Sequence, residues 1–97
     1  MTTPDPVDLA RIHIWVNGRV QGVGFRAFVL QSGSLLGITG WVRNVGYEAV
    51  ETVAEGPHEV LERFAELIKG GPRASRVDEA RLDWETPTGA FKGFVVR

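Results

Sequence analysis

The residues of greatest chemical potential in this 97-residue chain form the run Gly18-Arg19-Val20-Gln21-Gly22-Val23-Gly24-Phe25-Arg26. Three glycines fall within its first seven positions. Glycine admits dihedrals that turn successive main-chain N–H groups toward one point, and such a concavity receives an anion. A helix N-terminus adds unpaired N–H groups and the positive end of the helix dipole. Arg26 falls in the first turn of the helical pattern that follows. Its planar guanidinium matches two phosphate oxygens and stays charged at any relevant pH. The chemistry expected is therefore capture of a phosphate-sized anion. A glycine-rich turn between strand and helix can also be only a turn. The spacing is not a dinucleotide fingerprint, and no P-loop lysine follows.

Asn44 is the second polar candidate, after Gly40-Trp41-Val42-Arg43 at the end of a strand pattern. Its amide carries both donors and an acceptor, so it could accept from a water while donating elsewhere. Asparagine at a strand end can equally be turn chemistry. Arg43 alternates to the opposite sheet face and reads as a solvated or cross-strand charge. His13 and His58 are isolated and expected at the surface. Two such histidines do not make a metal site. The carboxylates fall mostly on helix faces and strand edges, which implies solvated surface. No Ser-His-Asp set is visible. Arg73, Arg76 and Arg81 are interspersed with Asp78, Glu79 and Asp83, so they form no basic stripe.

These residues need elements to position them. Ile12, Ile14 and Val16 alternate with Arg11, His13 and Trp15, which predicts a half-buried strand over 9–17. Phe25, Phe28, Val29, Leu35 and Leu36 suit a helix ending near Gly37. Its centre, Ser32-Gly33-Ser34, is weak, since glycine costs about 1 kcal/mol against alanine there. Strands are expected over 39–45 and 49–55, joined by a turn at Gly46-Tyr47. Gly56-Pro57 opens a second helix, with proline expected at its first position. Val60, Leu61, Phe64, Leu67 and Ile68 give that helix one apolar stripe, and Gly70-Gly71-Pro72 ends it. A fourth strand is expected over 75–85, with Ala80, Leu82 and Trp84 in phase. Thr86 to Gly89 reads as a loop, and Phe94, Val95 and Val96 as a short last strand. Two helices with one apolar stripe each must cover one sheet face. With right-handed crossovers the order gives an α+β, ferredoxin-like βαββαβ sandwich, an antiparallel sheet with a short extra C-terminal strand.

Composition narrows the function. Eleven Lys and Arg oppose twelve Asp and Glu, a net charge of −1, so nothing pulls nucleic acid or an anionic membrane from a distance. The chain has no cysteine, which excludes disulfides, thiolate nucleophiles and Cys-based metal sites and suits a reducing cytoplasm. No apolar run approaches the ~20 residues that span a bilayer. Residues 1–8 are acidic, carry Pro4 and Pro6, lack signal-peptide character, and read as a frayed tail before a single domain over 9–97.

The run from Gly18 to Arg26 resembles the first signature of the acylphosphatase family. Leu36-Gly37-Ile38-Thr39-Gly40-Trp41-Val42-Arg43-Asn44 resembles the second. The similarity continues through Val50-Glu51, Ala54-Glu55-Gly56, Gly71-Pro72 and Phe94-Val95-Val96-Arg97. It implies hydrolysis of the carboxyl–phosphate bond of an acyl phosphate by in-line attack of water. It implies that Arg26 binds the phosphate together with the N–H groups of Val20, Gln21, Gly22, Val23, Gly24 and Phe25. It also implies that Asn44 positions the attacking water, with no metal and no organic cofactor. Two departures stand out. Many members carry Asp-Gly in the hairpin after the asparagine, where this chain has Tyr47-Glu48, so Gly46 is expected to supply the positive φ. The first helix is usually alanine-rich at its centre, where Ser32-Gly33-Ser34 stand here.

The expectation is thus a free-standing, metal-independent, cytoplasmic and monomeric hydrolase acting on a small-molecule acyl phosphate, with no nucleic-acid or membrane partner. Two alternatives compete with it. One is a non-catalytic anion-sensing or interaction module on the same scaffold. The other is RNA binding, for which Trp15 and Trp41 on an open sheet face would provide stacking surfaces.

Overall fold

A computed structural model describes residues 8–97. The elements run in the order β1 (Leu9–Arg19), α1 (Phe25–Leu36), β2 (Thr39–Val45), β3 (Ala49–Pro57), α2 (His58–Gly70), β4 (Arg76–Glu85) and β5 (Phe94–Val96). They build one five-stranded sheet in the order β4-β1-β3-β2-β5. The first four strands pair antiparallel, whereas β5 lies parallel to β2 and makes the sheet mixed. The ferredoxin-like sandwich expected from the sequence is the fold found. The anticipated tail falls outside the described residues except for Asp8, whose carbonyl accepts from the His58 N–H at 2.8 Å.

The core lies between one face of the sheet and both helices. Ile12, Ile14 and Val16 of β1 meet Phe25 and Val29 of α1 and Leu61, Phe64 and Ile68 of α2, all at most 1% exposed. Each such side chain contributes about 1.5–3 kcal/mol by leaving water. Glu59 in the first turn of α2 and Lys69 in its last turn complement the helix dipole. Pro57 is not the first helical residue, as the sequence suggested. It is the N-cap, with φ −60° and ψ 136°, and it also ends β3, which runs two residues past Glu55. The ring's fixed φ suits an extended residue as well as a helical one. Likewise β1 continues to Arg19 after a register shift at Asn17/Gly18, because β4 supplies partners there.

The weak centre of α1 has a packing reason. Ser32 and Gly33 are buried, and a Cβ on Gly33 would meet the Phe94 ring at 2.5 Å. Glycine there lets α1 settle onto β5, and the Phe94 ring in turn meets Phe64 edge-on at 5.8 Å. The helix still ends where expected, with Gly37 in the left-handed region and its N–H on the Ser34 carbonyl at 3.1 Å.

The opposite sheet face carries no helix and is covered by its own side chains. Three sequence expectations are corrected here and beside α2. His13 is half-buried rather than superficial: its ring lies 2.5 Å from a Glu51 oxygen and 3.4 Å from Glu85 and stacks on Trp15. His58 is half-buried against Trp84, with ring centroids 4.2 Å apart. Glu51 and Glu55 are not solvated but buried, because antiparallel register sets them opposite Arg43 and Arg11. Arg43 is the cross-strand charge anticipated, its Nε 2.7 Å from Glu51. Glu55 accepts from Arg11 and from the N–H groups of Thr88 and Gly89, and so anchors the connection from β4 to β5.

Burial pushes the carboxyls of Glu51 and Glu55 up, but the groups around them prevail. His13 and Arg43 hold Glu51 below the ordinary carboxylate value, and Thr88, Gly89 and Arg11 do the same for Glu55. A carboxyl that ionises more readily folded than unfolded stabilises the fold above its unfolded pKa, and this is lost as pH falls through the folded one.

Two outcomes are expected. Gly33→Ala gains about 1 kcal/mol of helix propensity but overpacks against Phe94 by about 2, so denaturant titration should show a net loss of about 1 kcal/mol. The unfolding free energy should hold near neutrality and decline as pH drops below about 4.5, and Glu55→Gln should flatten that acid slope. An unchanged slope in the variant would remove Glu55 from this account.

Candidate active site

The ends of β1 and β2 and the start of α1 enclose a cleft of about 350 Å³ lined by Val20, Gly22, Gly24, Phe25, Arg26, Ala27, Leu30, Asn44 and Val96. Its first wall is the glycine loop. Val20 and Phe25 are buried, Val23 is half-buried against the core, and Gly22 and Gly24 are exposed. Apolar side chains pull the loop inward at three points, and the main chain between them faces out. Gly24 is the N-cap of α1 in the left-handed region, at φ 77° and ψ 21°, a conformation that a Cβ disfavours. No side chain caps the helix, and its first main-chain bond runs from the Phe28 N–H to the Gly24 carbonyl at 3.0 Å. Among the described residues, the N–H groups from Val20 to Ala27 find no main-chain acceptor. They are left for a ligand or for water.

Arg26 follows at the helix start, exposed and outside every ion pair among the described residues. No carboxylate and no histidine lines the cleft. Both carboxyls with displaced pKa lie on the opposite sheet face, and among the described residues Arg26 is the only ionisable side chain lining the cleft. The second wall is β2. Asn44 pairs with Val50 in the ladder and turns to the helix side, where its Oδ1 is buried without a partner. A buried acceptor left unpaired costs about 1–3 kcal/mol, which a water molecule with a hydrogen to donate would offset.

The structure therefore brings Val20, Gly22, Gly24, Phe25, Arg26 and Asn44 to one cleft. Two residues expected in the anion loop take other directions with their side chains. Val23 turns to the core. Gln21 reaches the β2–β3 hairpin, its Nε2 donating to the carbonyls of Ala49 at 2.9 Å and Gly46 at 3.0 Å. Gly46 has φ 58°, the positive value expected of it in place of the usual hairpin pair. Three lining residues were missed. Ala27 and Leu30 share the helix face that begins at the loop, a spacing of three that could have marked them. Val96 arrives only through the parallel pairing of β5 with β2, which nothing local encodes.

Trp15 and Trp41 do share the open sheet face, but their rings are already in use. His13 stacks on Trp15 and Arg81 lies 5.0 Å from it, while Arg43 and Arg97 lie 5.2 and 4.6 Å from Trp41. These rings are not a free stacking platform of the kind single-stranded RNA needs. No helix among the described residues is long and apolar enough to cross a membrane.

The acylphosphatase family model matches residues 12–96. An acylphosphatase of Salinibacter ruber is 45% identical over 87 residues, spanning 90% of this chain and 92% of that one. An acylphosphatase of Syntrophotalea carbinolica is 46% identical over 87 residues, spanning 90% and 95%. The crystal structure of acylphosphatase from Bacillus subtilis superposes with a TM-score of 0.86 at 35% identity, over 91% of this chain and 98% of that one.

Proposed function

We propose a mechanism from one premise: this chain belongs to the acylphosphatase family, and it is an enzyme that hydrolyses acyl phosphates. The substrate's phosphoryl group sits in the loop between Val20 and Phe25, its oxygens accepting from the main-chain N–H groups. Arg26 closes over two of those oxygens with its planar fork. Asn44 accepts a hydrogen bond from a water molecule through Oδ1 and aims the water's oxygen at phosphorus, opposite the acyl oxygen. The new P–O bond forms as the P–O bond to the acyl group breaks. The carboxylate departs with the bonding pair, and a phosphate oxygen takes the water's proton.

The observation that carries this reading is the pairing of open N–H groups with the orphaned Oδ1 of Asn44 across one cleft. The donors suit phosphate and the acceptor suits water. A leaving carboxylate has a conjugate acid near pKa 4, so no general acid is required. A loose phosphoryl transition state asks for positioning and charge stabilisation, which fixed dipoles and one guanidinium provide. The lack of a carboxylate or histidine base in the cleft is then no defect. The loop, Arg26 and Asn44 all belong to one chain, so a monomer suffices for this mechanism. A cysteine-free chain suits the reducing cytoplasm, and the occupied tryptophan rings speak against nucleic acid as a partner.

Steady-state hydrolysis of benzoyl phosphate, run with EDTA, tests the assignment. Wild type should keep its rate in EDTA. Arg26→Ala should lose about a thousandfold or more, by comparison with other arginines at phosphoryl transition states. Arg26→Lys should recover little of it, since a point charge does not reproduce the fork. Asn44→Ala should reduce turnover more than it weakens inhibition by inorganic phosphate. Near-normal hydrolysis by Arg26→Ala would end the assignment, and phosphate binding without turnover by wild type would favour a sensing module.

A further inference from the structure

We propose that Gln21 is a positioning residue whose side-chain amide sets the separation between the phosphate loop and Asn44. The idea rests on the roles given above to the loop and to Asn44. Gln21 directly follows the buried anchor Val20 in the loop that runs to the buried Phe25. Its side chain does not line the cleft. The Nε2 group instead points at three hairpin carbonyls: Ala49 at 2.9 Å, Gly46 at 3.0 Å and Val45 at 3.4 Å. An amide has two N–H donors, which match the two shorter distances.

The place of these acceptors gives the tie its meaning. Val45 and Ala49 form the last pair of the β2–β3 ladder, and Asn44↔Val50 is the pair before it. Beyond them the hairpin is an exposed turn through Tyr47, which is 94% exposed. Among the described residues, its apolar side chains Val45 and Tyr47 are exposed and outside the core. Gln21 thus clamps the hairpin one ladder pair from Asn44, and the same side chain belongs to the segment that supplies the N–H groups. A shift at either end changes the distance from the bound phosphorus to the water on Asn44. In-line attack is sensitive to such shifts: displacement by about 1 Å can cost 10²-fold in rate. The hairpin is also tied to the end of β1, where the Gly18 N–H donates to the Glu48 carbonyl at 3.0 Å. This bond is main chain to main chain, so the fold has a second tie when Gln21 is replaced.

The role separates from mere stabilisation by what changes. Gln21→Ala removes the clamp. Gln21→Glu keeps its shape but sets carboxylate oxygens against carbonyl oxygens. Turnover of benzoyl phosphate by both variants should fall about tenfold or more, measured well below their thermal midpoints and per phosphate-binding site. The inhibition constant of inorganic phosphate should stay within about threefold of wild type, because the N–H groups themselves remain. In Gln21→Glu the deficit relative to wild type should shrink as pH drops below about 5, where a protonated carboxyl can donate again. Wild-type turnover with only a lowered thermal midpoint would overturn the proposal. So would turnover and phosphate inhibition worsening together, or a Gln21→Glu deficit that does not respond to pH. Asn44→Ala is the reference: if it leaves turnover intact, the water-holding role fails first and the clamp has nothing to position.

Discussion

The amides between Val20 and Ala27 are withheld from main-chain acceptors, and the rest of the site depends on keeping them so. An open amide run normally closes on itself, as a turn or a further helical bond. Here the buried side chains of Val20 and Phe25 fix both ends of the loop, and Gly24 in the left-handed region starts the helix one residue before Phe25. The helix cannot wind back into the loop without withdrawing Phe25 from the core. The cost of an unpaired amide is small while water can reach it and is recovered when an anion replaces that water.

Charge is divided between the two sides of the sheet in a way that serves this loop. On the open face, cations and carboxylates neutralise one another: Arg11 with Glu55 and Glu85, and Arg43 with Glu51, whose other oxygen meets the His13 ring. In the cleft, Arg26 has no such partner among the described residues. A carboxylate beside it would compete with phosphate for the same fork. Register produces the separation, because strand residues alternate between faces and the ion-pairing residues of β1, β2 and β3 all fall on the open one. Asn44, one residue from Arg43, falls on the other side for the same reason.

The helix–sheet contact that supports the cleft is also unusually close at one point. Gly33 admits the Phe94 ring against α1, and β5 follows directly as the strand that brings Val96 to the site. Helix propensity at the centre of α1 is given up for that approach. The same trade explains why Ser32-Gly33-Ser34 looks like a flaw when only local preference is considered.

Much of the molecule was legible in the chain itself. Alternation of Ile12, Ile14 and Val16, the stripe from Val60 to Ile68, and the stops at Gly37 and Gly71 each express a period or a backbone preference acting over a few residues. The places of the glycine loop, of Arg26 at the start of α1 and of Asn44 near the end of β2 were readable for the same reason, since each follows from a local pattern. Burial of Glu51 and Glu55, the half-buried histidines, the hairpin clamp by Gln21 and the arrival of Val96 were not readable. Each depends on which strand lies beside which and in what register, on partners 8 to 72 positions distant in sequence. Local pattern determines which face of an element is apolar and where it ends; only the assembled sheet determines what each polar side chain meets, and therefore whether it pairs, anchors or is left free for substrate.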